Sequence, residues 1–171
     1  MDRSEPPRVR VRRIMVIGGP GSGRAELAQS VARQTGLPVL DLERHCAGAA
    51  DAAERHARAN AAALGEAWIL AGNEPATWDW RARRAQLIVF ADLPLEQRLW
   101  RIARRRLFRA GGGAEGEWAA ARRYDREGRP DALRLVGACH ARGHPRCVVL
   151  RSPAALGWFA GNFAARFAVL P

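Results

Sequence analysis

The chain has no lysine: each of its 28 basic residues is arginine, set against 17 acids for a formal charge of +11. So complete an absence resembles the coding bias of an arginine- and alanine-rich proteome. An arginine where other proteins carry lysine is therefore not in itself a sign of selection. Cysteine is scarce, and Cys46, Cys139 and Cys147 are odd in number and unpatterned, as expected of reduced thiols. No apolar run is long enough to span a bilayer, and the first residues lack the apolar segment of a signal peptide. The expected location is cytoplasmic, with no membrane partner. Internal repeats and any recognised DNA-reading motif are also missing, which leaves one domain over residues 1–171 with room for a real core.

What is present begins with Ile14-Met15-Val16-Ile17, a short apolar run that reads as a buried parallel strand. After it come Gly18-Gly19-Pro20-Gly21-Ser22-Gly23-Arg24-Ala25 and a segment with Leu27, Ala28 and Val31 on one helical face. This stretch fits the phosphate-loop pattern G-x-x-x-x-G-K-[ST] except at its last two positions. Glycines let successive backbone N–H groups turn inward around a di- or triphosphate, and the following helix points its positive end at the same anion. Gly18, Gly19, Gly21, Ser22, Gly23, Arg24 and Ala25 are thus candidate nucleotide contacts, with ATP the expected cofactor. Arginine is longer and planar, so Arg24 can still hold phosphate bidentately. Ala25 offers no hydroxyl to Mg²⁺. The plainer alternative is a glycine-rich turn without a ligand, but four glycines in six residues exceed what a turn needs.

Strands and helices then alternate. Strands are expected at residues 37–40, 67–71, 86–91 and 147–150, and helices over 49–64, from about Pro94 through an arginine-rich run to Arg109, over 117–141 with a break near Gly128 and Pro130, and from Pro153. Such alternation predicts an α/β fold: a five-stranded parallel sheet flanked by helices. Residues 1–11 read as a basic, flexible tail. Residues 110–129 read as a short lid, with the glycine-rich stretch 110–116 mobile.

Several stretches together support a family resemblance: the loop, Leu37–Glu43, Trp68-Ile69-Leu70-Ala71-Gly72-Asn73, Leu87–Pro94, Leu99-Trp100-Arg101 through Leu107, and Val148–Pro153. The chain resembles the DNA-topology-modulation (FlaR-like) group of adenylate-kinase-like P-loop proteins. The resemblance implies an ATP site at the loop, with Arg151 and Pro153 among the nucleotide contacts. It also implies a pocket for an unidentified small-molecule acceptor under the second and third strands, and an arginine-bearing lid. Relatives carry Asp where this chain has Ala71. With Ala25, that removes two groups that would anchor Mg²⁺, so Mg²⁺ is poorly supported, no metal ligand is assigned, and phosphotransfer is expected to be weak or lost. The alternative is an active kinase of a nucleotide or small hydroxylated acceptor.

Glu43 aligns with an acid that could orient an acceptor hydroxyl, and reads equally well as a solvent-exposed carboxylate. Asp92 reads as a cap for the helix near Pro94. Arg101 and Arg105, and likewise Arg122 and Arg126, are spaced to share a helical face and are candidate phosphate contacts beside Arg24 and Glu43. The bland alternative is a solvated arginine face. Cys139, His140, His144 and Cys147 crowd nine residues, but adjacent Cys139 and His140 point roughly 100° apart on a helix, so a zinc site is disfavoured. Finally, a pI near 11.4 and the arginines at 3, 8, 10, 12 and 13 predict salt-dependent, non-specific affinity for nucleic acid. An arginine-rich nucleic-acid-associated regulator is the remaining class.

Overall fold

A computed structural model describes residues 9–107 and 115–168. Five strands, β2 (Arg13–Gly18), β3 (Val39–Asp41), β4 (Trp68–Ala71), β5 (Leu87–Ala91) and β6 (Arg146–Leu150), form one parallel sheet in the order β3-β4-β2-β5-β6. The central strands β2, β4 and β5 are apolar and buried along almost their whole length, as a sheet covered on both faces requires. Their side chains alternate between two cores. Ile14, Val16, Ile69 and Val89 pack beneath α1 (Arg24–Thr35) and α8 (Pro153–Gly161). Met15, Ile17, Leu70 and Phe90 pack beneath α3 (Ala52–Ala62), α4 (Trp78–Arg84) and α7 (Arg129–Arg142). The helices α2 (Leu42–His45), α5 (Leu95–Leu107) and α6 (Glu115–Arg123) lie in the connections around the carboxyl ends of the strands.

Three expectations need correction. Residues 9–11 are not a flexible tail: β1 (Val9–Arg10) pairs in parallel with β7 (Phe167–Ala168), and Val11 is fully buried. That pairing is favoured because α9 (Phe163–Arg166) and β7 deliver Phe163 and Phe167 onto Phe159, with ring centroids 4.8–6.0 Å apart. The remainder of the tail, residues 1–8, and the glycine-rich part of the lid, residues 110–114, lie outside the described residues. The break expected near Gly128 and Pro130 is instead a single π-helical turn, Tyr124–Gly128, in which the Arg129 N–H donates to the Tyr124 carbonyl. Pro130 follows directly on this turn, as the second residue of α7. The helix α4 was not anticipated, since seven residues with two tryptophans and three arginines give no clear apolar period.

Candidate functional site

The loop Gly18–Ala25 joins β2 to α1 at the carboxyl edge of the sheet, the side on which open parallel sheets bind ligands. Gly21 and Gly23 hold positive φ angles of 78° and 85°, which a side chain would strain. Gly23 is also the N-cap of α1, and no side chain caps that end, so its first-turn N–H groups face the loop without an intrahelical acceptor. A cavity of about 490 Å³ opens over this end, lined by the loop, Asp41, Ala71 and one face of α5.

On the β3–β4 flank, polar groups form a continuous chain. Arg24 donates to the Gly18 carbonyl at 2.5 Å and pairs with Glu43 at 2.5 Å. Glu43 also accepts from the Asn73 N–H at 3.3 Å. The Asn73 side-chain amide donates back to the Gly18 carbonyl at 3.0 Å. Behind Asn73, the fully buried Arg81 donates to the carbonyls of Asn73 (2.5 Å) and Glu74 (3.1 Å) and to the Thr77 hydroxyl (2.9 Å). Burial pushes the Arg81 pKa down to about 10, partly offset by Glu74 and Glu43, so the guanidinium stays charged at neutral pH. Glu74 is the one non-glycine residue with positive φ (67°) among those described, and Arg55 pairs with its carboxylate at 3.3 Å.

On the β5 flank, α5 lies against the loop. Arg101 donates from Nε to the Gly21 carbonyl at 3.0 Å, and a Cβ at Gly23 would lie 2.7 Å from its Nη2. Arg98, 1% exposed, donates to the Leu93 and Ala121 carbonyls and pairs with Asp125 at 2.5 Å. Arg105 and Arg106 both pair with Glu117. Partial burial raises the Glu117 carboxyl, but the hydrogen bond from Arg106 and the two arginine charges outweigh it, leaving its pKa below the ordinary value. Arg104 carries no ion pair among the described residues and stacks over the exposed Trp100 at 5.4 Å.

The structure therefore brings Arg24, Arg101 and Arg105 around one cavity with the loop, while Glu43 does not line it and joins the site only through its pair with Arg24. It does not bring Arg122 and Arg126 there. Both are exposed and without partners among the described residues. Their four-residue spacing crosses from α6 into the wider π turn, so they share no α-helical face. Arg151 and Pro153 sit at the β6–α8 turn and do not line the cavity; Arg151 is 74% exposed and lies 3.9 Å from Asp92. Asp92 is not a helix cap. Its buried carboxylate accepts from Nε and Nη2 of Arg129, at 2.6 and 3.2 Å. That hydrogen bond raises the Arg129 pKa. Asp41, by contrast, caps α2 through the Arg44 N–H at 3.2 Å.

A resident Mg²⁺ does not fit these residues. It needs several oxygen ligands in octahedral array, whereas Ala25 and Ala71 supply none and Glu43 is already paired with Arg24. A polyphosphate fits better, because the glycine backbone and the uncapped helix end are present without any lysine.

No family model matches the chain, and no curated protein matches it. Solved structures do. Shikimate kinase from Acinetobacter baumannii, in complex with shikimate, is 16% identical with a TM-score of 0.59, over 90% of this chain and 91% of that one. Shikimate kinase from Bacteroides thetaiotaomicron is 14% identical with a TM-score of 0.52, over 93% and 98%. A sugar kinase from Janibacter is 14% identical with a TM-score of 0.52, over 91% and 95%. At these identities the likeness concerns the fold. The chain shares the fold of these small kinases, a five-stranded parallel sheet flanked by helices, as its sequence pattern anticipated. No described helix is long and apolar enough to cross a membrane.

Proposed function

We propose that this protein binds the polyphosphate of a nucleotide, with ATP the expected ligand, at Gly18–Ala25, and that it transfers phosphate weakly or not at all. The observation that carries this reading is the commitment of Arg24. Its guanidinium is divided between the Gly18 carbonyl and Glu43 and so is not free to bridge β- and γ-phosphates as a P-loop lysine does. In this reading the loop N–H groups and the end of α1 hold the phosphates, and Arg101 and Arg105 approach them from α5. Glu43 keeps Arg24 on the acceptor side. Arg151 and Pro153 border the base, and Arg122 and Arg126 stay in solvent. The resemblance to topology-modulation proteins is compatible with this arrangement and adds no acceptor.

A second reading, an active kinase of a small hydroxylated acceptor, is favoured by the place of Glu43. It stands between the loop and the Gly72–Glu74 turn, where an acceptor hydroxyl could be oriented. The arginine-rich regulator reading is weaker, because Arg98, Arg105, Arg106 and Arg129 already face acids. Calorimetric titration of ATP with and without Mg²⁺ separates the first two. A degenerate binder takes ATP almost equally in both, whereas an active kinase requires the metal. In the triple variant Arg24→Lys, Ala25→Ser, Ala71→Asp, binding should become Mg²⁺-dependent. An unaltered response would show that positions 25 and 71 do not face the nucleotide.

A further inference from the structure

Among the described residues three tryptophans are exposed, Trp80, Trp100 and Trp158, and each has an arginine over its ring at 5.0–5.6 Å. A lone exposed indole is ordinary on a protein surface. Trp100 differs from the other two in its place: it lines the cavity over the glycine loop, and they do not. It is also the most exposed of the three, at 61%.

The pitch of α5 explains that place. Residues four apart on a helix share a face, so Arg101 and Arg105 form one stripe and Trp100 and Arg104 a second, about 100° round the axis. All four residues line the cavity. The first stripe is joined to the loop, because Arg101 donates to the Gly21 carbonyl. The second carries the one aromatic ring among the lining residues. Its arginine is lightly held: Arg104 lies over the ring and makes no hydrogen bond or ion pair among the described residues. Arg84, over Trp80, is instead fixed by the Ala63 and Leu64 carbonyls at 2.6 and 2.9 Å. One cavity wall thus offers cations for an anion and, beside them, a flat apolar face for a flat ring.

We propose that the Trp100 indole is the stacking platform for the aromatic base of the nucleotide whose polyphosphate lies at the glycine loop. The inference rests on the proposed nucleotide binding and names what holds the other half of the ligand. On binding, the base takes the place of Arg104 over the ring, and stacking replaces a single cation–π contact. In the proposed arrangement Arg151 and Pro153 border the base from outside the cavity, and Trp100 supplies the ring face that their turn lacks.

The test titrates the parent, Trp100→Ala and Trp100→Phe with ATP and with inorganic tripolyphosphate at fixed ionic strength. Trp158→Ala serves as the control, an exposed indole under an arginine but away from the cavity. Trp100→Ala should weaken ATP by about tenfold or more, and tripolyphosphate, which has no base, by less than about twofold. Trp100→Phe, which keeps a ring, should recover most of the loss, and Trp158→Ala should bind ATP as the parent does. Unchanged ATP affinity in Trp100→Ala, or an equal loss for both ligands, would overturn the platform while leaving the loop site intact. A phenylalanine variant as weak as the alanine one, or an equal loss in Trp158→Ala, would overturn it too. If the parent binds neither ATP nor tripolyphosphate, the loop reading fails and the platform fails with it.

Discussion

The two flanks of the glycine loop handle the same residue type in different ways. On the β3–β4 side every arginine near the loop is matched at short range. Arg24 meets Glu43 and the Gly18 carbonyl, Arg81 is embedded among backbone carbonyls, and Arg55 pairs with Glu74. On the α5 side the matching is uneven: Arg98, Arg105 and Arg106 face acids, whereas among the described residues Arg101 meets only the Gly21 carbonyl and Arg104 only the Trp100 ring. The comparison teaches where an anion can enter. A phosphate meeting Arg24 must compete with a carboxylate already 2.5 Å away, whereas Arg101 and Arg104 would give up only weak, neutral partners.

The largest effect should come from breaking what both flanks share. Gly23→Val puts a branched side chain at φ 85° and into the space the Arg101 guanidinium tip occupies, so ATP binding should fall by about a hundredfold or more. Calorimetry on protein shown to be folded by circular dichroism would measure it. Affinity equal to the parent's would mean that the loop is only a turn.

A smaller effect, of opposite sign, should come from freeing the matched flank. Glu43→Gln removes the charge that holds Arg24, and ATP should bind more tightly by up to about fivefold at low salt, the range of a half-exposed ion pair. Weaker binding after this change would show that Glu43 itself serves the ligand, as the kinase reading requires.

The smallest effect concerns Glu117, the acid that gathers Arg105 and Arg106. Its pKa is lowered in the folded chain, so its contribution is fully present above the ordinary carboxylate value and is lost as pH falls through the folded value. Hydrogen exchange over residues 115–123, corrected for intrinsic rates, should therefore accelerate below about pH 4.5, and Glu117→Gln should abolish that dependence.

The parallel sheet and the glycine loop were legible because both depend on local signals. Apolar runs of four or five residues at βα spacing announce buried strands, and four glycines in six residues announce a backbone that must come close to something. Arg81 was not legible. Nothing in Trp78–Arg84 distinguishes Arg81 from Arg83 or Arg84, and only the docking of α4 behind the Asn73 turn buries it. Spacing rules placed Arg122 and Arg126 together because they assume an unbroken α-helix, and one π turn cancels that assumption.

The sequence by itself determined the composition of the site: a lysine-free loop, alanines where metal-anchoring groups would stand, and a surplus of arginine. Only the tertiary structure decided how that surplus is used. Whether an arginine is free to meet a phosphate depends on which carboxylate or carbonyl the fold brings within about 3 Å of it, where hydrogen bonding and charge act together. Glu43 is 19 residues from Arg24 in the chain, and Gly21 is 80 from Arg101. Pairings over such separations are made by the packing of helices on the sheet.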